Sequence, residues 1–411
     1  VRPLAQAEDK RTVLKARWLK RNAAYATADF AVDATCEPDV VAAALDGGHR
    51  SALAQHVVEV PLQRDPYTVC IGRDALSQGA LQIAALAPSH ALVVADTDVA
   101  KHWLPTLQAH LDGASVPHSV HLLPTGETHK HLATVASIWD RLLALGADRA
   151  AVVVALGGGV TGDMAGFAAA TALRGVRVVQ LPTSLLAMVD ASVGGKTGIN
   201  HAQGKNLVGA FHQPSWVGCD LSTLATLPAR ERVAGLAEVV KVALTLDAEL
   251  LSWLERDAAA LRDGDIEALQ PVIARAIGLK ATVVARDERE GGLRRVLNFG
   301  HTVGHAVERV TNYTRFRHGE AVALGMLAAL QASITAGSCD AALSQRAVAL
   351  MRALGLPTTL PADIDRAAVR SALAHDKKRA ASGVRFILCA GPGRHAEQWL
   401  ALDAIPLELQ D

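Results

Sequence analysis

From Val57 onward, short runs rich in β-branched residues alternate with segments of helical period, and that alternation limits the fold more than any other feature. The runs are HVVEVPL, YTVCIG, HALVVAD, SVHLLP, AAVVVALGGG and VRVVQLP. In the fifth, Ala150–Leu156 is apolar with no polar alternation, so a strand there must be covered on both faces. Amphipathic stretches such as HLATVASIWDRLLALGA supply that cover. The pattern predicts an α/β chain whose N-terminal part is Rossmann-like, a twisted and largely parallel sheet with helices on both faces. After about Leu227 the β signal nearly vanishes, and long helical periods such as ALQPVIARAIGLKATVVARDE and GEAVALGMLAALQASITAG predict a mainly α-helical second domain. The chain thus divides into an appendage over residues 1–55, an α/β domain over 56–227 and a helical domain over 228–411.

The balance of 41 basic against 41 acidic residues gives no long-range field of either sign, which argues against nucleic-acid binding. An anionic ligand must therefore be captured locally. Cys36, Cys70, Cys219, Cys339 and Cys389 lie far apart with no CxxC pair, and they read as free thiols of a reducing compartment. No apolar stretch reaches the roughly 18 residues of a membrane span, because the most apolar run, Ala150–Leu156, is stopped by glycines. The first residues lack the apolar centre of a signal peptide. A soluble cytoplasmic protein that uses neither membrane nor nucleic acid is the expectation.

Four stretches carry chemistry. In AAVVVALGGGVTGDMAGFAAA, the backbone amides of Gly157, Gly158 and Gly159 can approach a pyrophosphate at a helix N-terminus, although the spacing is not GxGxxG and a bare turn would look the same. LPTSLLAMVDASVGGKTGINHAQGKN groups Thr183, Ser184, Asp190, Lys196, Lys205 and Asn206 among glycines, and lysines beside glycines suit a phosphate. In GLAEVVKVAL, Glu238 and Lys241 share one helical face, as an ordinary surface ion pair would. In LNFGHTVGHAVE, His301 and His305 also share a face, with Asn298 one turn earlier. That histidine spacing can ligate a metal, but no HExxH is present. With His318 of RFRHGEAVALG, Glu238 and His301 would give one oxygen and two nitrogen ligands, an open catalytic set. Lys280, Arg294 and the AHDKK segment with His375, Asp376, Lys377 and Lys378 are further charged candidates that surface decoration would equally explain.

Taken in order, PTGETHK, ALGGGVTGDMAGFAAATALRG, LPTSLLAMVDASVGGKTGIN, GKNLVGAFHQP, LPARERVAGLAEVVK, DEREGGLRRVLNFGHTVGHAVE, HGEAVALGM and HDKK resemble the 3-dehydroquinate synthase family from about Val57 to the end. The resemblance implies an enzyme that uses NAD and a divalent zinc or cobalt ion to close a seven-carbon sugar acid phosphate into a ring, as a homodimer. It implies that Glu238, His301 and His318 hold the metal and that His305 instead faces the phosphate. Implied NAD contacts are Asp96, Glu127, Lys130, Gly159, Val160, Gly162, Asp163, Thr183, Ser184, Lys205, Thr223 and Thr226. Implied substrate contacts are Asp190, Lys196, Asn206, Lys241, Lys280, Arg294, Asn298, His305 and Lys377, with Arg174 reaching in from a partner subunit; Lys196 falls in both sets. One departure is Asp98, where the family often has asparagine; it touches only the ribose or adenine end.

A fainter resemblance covers the start, where RPLAQAEDKRTVLKARWLKRNAAYATADFAVDAT is similar to the C-terminal part of shikimate kinase. No GxxxxGK[ST] loop occurs, so the segment reads as a kinase remnant or as a piece of a longer bifunctional chain. Three other functions compete with the main one. Another sugar phosphate cyclase is the nearest; the planar fork of Arg294, helped by Lys280, favours a carboxylate-bearing substrate and disfavours neutral-sugar cyclases, but not amino-dehydroquinate synthase. A metal-dependent polyol dehydrogenase would not need the lysine-rich phosphate clamp. A regulatory role without catalysis would leave the metal and lysine set unexplained.

Overall fold

The computed structural model describes residues 55–375 and 383–408. The kinase-like segment lies outside them, as do Asp376, Lys377 and Lys378. In chain order the α/β part contains β1 (His56–Val60), β2 (Tyr67–Gly72), α1 (Ala75–Ala85), β3 (Ala91–Asp96), α2 (Thr97–Gly113), β4 (His118–Leu123), α3 (Leu132–Ala144), β5 (Val152–Gly157), α4 (Gly159–Thr171) and β6 (Arg177–Pro182). A hairpin of β7 (Lys196–His201) and β8 (Gly204–Phe211) comes next, and then β9 (Trp216–Asp220). The main sheet has the order β1-β2-β9-β6-β5-β3-β4, and within it only β1 runs antiparallel to its neighbour.

Period-2 alternation explains the two layers. Ala91, Val93 and Ala95 of β3 and Val152, Val154 and Leu156 of β5 pack with Leu76, Ile83, Leu107 and Leu111 of α1 and α2. The intervening Leu92, Val94, Val153 and Ala155 pack on the other face with Val135, Ile138, Met164 and Ala168 of α3 and α4. Asp96 closes β3 and caps α2, accepting from the N–H of Asp98 at 3.1 Å and of Val99 at 3.0 Å.

The second half is helical: α5 (Ala229–Leu246), α6 (Ala248–Asp263), α7 (Ile266–Arg286), α8 (His301–Val310), α9 (His318–Thr335), α10 (Ala341–Leu354) and α11 (Arg366–His375). One hydrophobic cluster runs from Val69 and Val217 of the sheet into Leu236, Ile277, Val303 and Leu330, and the described residues from His56 onward form one compact unit. The change of element type falls at 227/228, between a 3-10 turn (Leu221–Thr226) and α5.

Three features differ from the sequence reading. The lysine- and glycine-rich stretch, absent from the predicted strands, forms the β7–β8 hairpin from Lys196 onward; Gly198 pairs with Gly209, and an added Cβ on Gly209 would lie 2.1 Å from the Thr197 carbonyl. Glycine there hides the β signal by replacing the branched residues that advertise strands. The helical half also carries a two-stranded hairpin, β10 (Val384–Cys389) and β11 (His395–Leu400). Finally, α7 is 21 residues long and apolar enough to cross a membrane by length and composition, yet it packs Leu269, Ile273, Ile277 and Val284 into the core.

Helices α5, α8 and α9 approach one another closely because glycine stands at the points of contact. An added Cβ on Gly319 of α9 would sit 1.8 Å from the Ala234 carbonyl of α5, and one on Gly325 would sit 1.8 Å from the Gly300 carbonyl that precedes α8. Gly325→Ala must push α9 away from α8 and is predicted to lower stability by about 1–3 kcal/mol or more. Gly278→Ala, in an open position of α7, should instead be neutral or mildly stabilising. Denaturant midpoints at constant slope test this; a Gly325→Ala midpoint equal to that of the parent would show that the helices do not need the contact.

Candidate active site

The close approach of α5, α8 and α9 brings Glu238, His301 and His318 together. Glu238 is 2 % exposed and its Oε1 lies 3.6 Å from His301 Nε2 and 3.7 Å from His318 Nε2. Its Oε2 is ion-paired with Lys241, one turn along α5, and neither oxygen accepts a well-formed hydrogen bond. The outer nitrogens are occupied elsewhere: His301 Nδ1 faces the Phe299 carbonyl at 3.3 Å, and His318 Nδ1 faces Glu308 Oε2 at 3.2 Å. Both imidazoles therefore turn Nε2 toward Glu238. His305 adds a third ring, 5.3 Å from that of His301, and one donor atom from each of the three imidazoles lies within 4.8 Å of the others. Burial, and then Lys241 and the neighbouring imidazoles, hold His301 well below its ordinary value, which keeps it neutral as a ligand must be. Burial opposes protonation of His318 as well, but Glu308 outweighs it and the net direction is upward.

Charged pairs surround this cluster. Lys280 is buried and donates to the Asp190 carbonyl at 2.5 Å and to the Asp190 carboxylate. Burial brings Lys280 down to about 8; Asp190 is lowered because Lys280 and Lys241 outweigh its own burial. Lys130 reaches Asp163 at 2.5 Å and Asn206 Oδ1 at 2.6 Å. Burial nonetheless keeps Asp163 above the usual carboxylate range. Lys196 meets Glu290 Oε2 at 2.5 Å, and Asn298 Nδ2 donates to Glu290 Oε1 at 2.6 Å. Arg294, 2 % exposed, donates to the Glu288 carbonyl at 2.5 Å and the Gly194 carbonyl at 2.9 Å.

A cleft of about 1160 Å³ opens over these groups. Its volume exceeds the roughly 300–1,000 Å³ of ordinary small-ligand pockets, so two ligands can share it. Of the residues expected at the nucleotide, Asp96, Glu127, Lys130, Gly159, Val160, Asp163, Thr183, Ser184, Lys205 and Thr226 line it. They sit at or beyond the C-terminal ends of β3, β4, β5, β6 and β9 and on the hairpin, the edge where parallel sheets bind ligands. Gly158, Gly159 and Val160 expose the N-terminus of α4 there, which suits a pyrophosphate. Three expected residues do not line it: Thr223 is buried and donates to the Asp220 carbonyl at 2.6 Å, Gly162 packs against Gln180, and Lys196 is turned to Glu290.

Of the expected substrate and metal residues, Asp190, Asn206, His305 and His318 line the cleft. Glu238, Lys241, Lys280 and Arg294 are buried, Lys196 and Asn298 lie off the lining with Glu290, and Arg174 is exposed in the turn after α4. Lys377 is outside the described residues. An orphaned buried carboxylate facing two Nε2 atoms fits a borderline divalent ion such as zinc or cobalt. Sequence reasoning missed Glu290 and Glu308. Glu308 had a signal, since it stands seven residues after His301 on one helical face; Glu290, in a loop at φ 59°, had none.

The loop that carries Glu290 is held by Asp287, whose carboxylate accepts from the N–H of Gly291 at 2.8 Å, Gly292 at 2.7 Å and Arg294 at 2.9 Å. Asp287→Ala should raise amide exchange over 287–294, with a local loss of about 1–3 kcal/mol. The Arg294 N–H above all, with the two glycine N–H groups, holds Asp287 below the usual carboxylate range. In the parent the protection is therefore full above the ordinary carboxylate value and is lost as pH falls from there through the lowered one. Unchanged exchange in the variant would remove Asp287 from this role.

Known proteins share both the sequence and the architecture that build this site. Residues 120–234 match the family described as 3-dehydroquinate synthase N-terminal, and residues 235–379 match 3-dehydroquinate synthase C-terminal. A 3-dehydroquinate synthase of Citrifermentans bemidjiense is 47 % identical over 339 residues, spanning 82 % of this chain and 93 % of that protein. Among solved structures, 2-epi-5-epi-valiolone synthase of Streptomyces hygroscopicus subsp. jinggangensis, with NAD+ and Zn2+ bound, has a TM-score of 0.76 at 33 % identity, covering 84 % of this chain and 96 % of its own. A 2-deoxy-scyllo-inosose synthase complexed with carbaglucose-6-phosphate, NAD+ and Co2+ has a TM-score of 0.79 at 27 % identity, covering 85 % of this chain and 98 % of its own. The chain belongs to the 3-dehydroquinate synthase family.

Proposed function

We propose that this protein is a 3-dehydroquinate synthase, converting 3-deoxy-D-arabino-heptulosonate 7-phosphate to 3-dehydroquinate and phosphate with NAD and a divalent zinc or cobalt ion. The observation that carries the reading is an orphaned, buried Glu238 facing His301 and His318 beneath a cleft ringed by paired lysines, in a chain 47 % identical to an enzyme of that name. When bound, the metal would polarise the hydroxyl to be oxidised, and NAD would accept a hydride and return it within one cycle. Glu238, His301 and His318 would hold the ion.

The chain's own residues supply position and charge. His305, on the cleft wall, and Lys196 would orient the phosphate, whose departure follows oxidation because a carbonyl acidifies the neighbouring C–H. Arg294 and Lys280 would take the carboxylate, Arg294 through its planar fork. Lys280, with its value near 8, can also exchange a proton close to neutral pH. Asp190 would anchor a ring hydroxyl beside Lys280. Arg174, exposed and at φ 66°, would reach a partner's cleft in a cytoplasmic homodimer.

Incubation of the protein with that substrate and catalytic NAD+ should release phosphate with no net rise in NADH absorbance near 340 nm, roughly the nicotinamide band. Stoichiometric NADH would make it a dehydrogenase instead. Chelation should stop phosphate release, zinc or cobalt should restore it, and His301→Ala should lose the ion.

A neutral-sugar cyclase is the second reading, favoured by the 33 % identical valiolone synthase. Arg294 separates the two. Removing one partner of a buried charged pair costs about 2–5 kcal/mol, so Arg294→Ala should lower kcat/KM by at least about thirtyfold for the carboxylated substrate and far less for an analogue without the carboxylate. Equal losses on both substrates would withdraw the carboxylate role.

A further inference from the structure

Glu308 carries no role in the reaction as proposed, yet it is among the most enclosed charged groups near the cleft, at 2 % exposure. It stands on α8, three residues after His305 and seven after His301, and so on the face those histidines share. Its two oxygens do different things. Oε2 lies 3.2 Å from His318 Nδ1, and Oε1 receives Lys205 Nζ at 3.2 Å. Lys205 comes from β8, and its ammonium stacks 4.3 Å above the Tyr313 ring in the α8–α9 connection.

We propose that Glu308 is a positioning residue: it fixes the tautomer and orientation of His318 for metal binding and ties that imidazole to Lys205 of the hairpin. This rests on the reading that Glu238, His301 and His318 hold a divalent ion. A ligating imidazole must offer one bare nitrogen, and which one is bare is set by what the other N–H finds. At His318 the Nδ1 partner is a carboxylate, so Nδ1 carries the proton and Nε2 turns to Glu238. His301 obtains the same orientation from the neutral Phe299 carbonyl at 3.3 Å. The two ligands are therefore unequal. His318 is made the more basic donor by a full negative charge, and Lys205 holds that carboxylate in place from its far side.

Ion affinity then depends on a side chain that does not touch the ion. It also depends on Lys205, so the order of the β7–β8 hairpin and occupancy of the metal site are coupled, each strengthening the other to the same degree.

The test is zinc affinity of the full chain, measured by competition with a chromophoric chelator, alongside the absorption spectrum of the cobalt-loaded protein. Neither readout needs turnover. Glu308→Ala should weaken zinc binding about 10–100-fold. Glu308→Gln keeps an acceptor for Nδ1–H without the charge, so it should fall between alanine and the parent and shift the cobalt bands. Lys205→Met should weaken zinc by a smaller factor. Thermal unfolding of the metal-free proteins separates a merely structural role, which would lower the midpoint while leaving zinc affinity unchanged. If Glu308→Ala fails to fold, the glutamine variant decides. Parental affinity and an unshifted cobalt spectrum in Glu308→Gln, with His301→Ala losing zinc, would overturn the role of Glu308 while leaving the ligand set standing. Parental affinity in His301→Ala would overturn the ligand set and this proposal with it.

Discussion

A carboxylate removed from water with no hydrogen bond to either oxygen is the constraint on which the helical half is built. Burying such a charge costs several kcal/mol unless other charges answer it. Lys241 answers Glu238 from the next turn of α5, while the two imidazoles that face it come from the first residues of α8 and α9. Helix α9 can lie against α5 and against the start of α8 only because residues 319 and 325 lack side chains at those contacts. Packing here serves an electrostatic arrangement. The small residues are where they are so that a charge and two donors can share one small volume.

The same economy governs the cations. Lys130, Lys196, Lys205 and Lys280 each stand within ion-pair distance of a carboxylate: Asp163, Glu290, Glu308 and Asp190 respectively. Unpaired, lysines so close together would repel one another and weaken the fold. Paired, they leave the overall charge at zero while giving the cleft a fixed polar interior. An incoming anion joins or displaces these pairs, so recognition is local and directional. Part of the cost of orienting each ammonium has already been met by folding.

Much of this was legible in the sequence because it is periodic. The unbroken apolar run of β5 foretold a sheet covered on both faces, and the two core layers take its residues in turn. Spacing of four residues placed His301 and His305 on one face, and spacing of three placed Glu238 and Lys241 together. The β7–β8 hairpin was not legible, since its glycines erase the pattern that marks a strand while permitting the backbone contact that makes one. Contacts between distant segments were hidden for a different reason. Nothing local to Glu290 says that it will gather Lys196, and nothing local to Gly194 says that its carbonyl will hold Arg294. The choice of His318 over His305 as a ligand is proposed from the order of the family's motifs, which spacing does not replace.

That choice is the one on which the metal site turns, because geometry brings together two donor sets, three imidazoles or two imidazoles with Glu238. X-ray absorption at the zinc edge of the metal-loaded protein distinguishes them directly. Ligation by Glu238, His301 and His318 predicts two imidazole nitrogens and a carboxylate oxygen from the chain, with the remaining positions taken by water, and no change in imidazole number in His305→Ala. A three-imidazole shell that loses one ring in His305→Ala would contradict it.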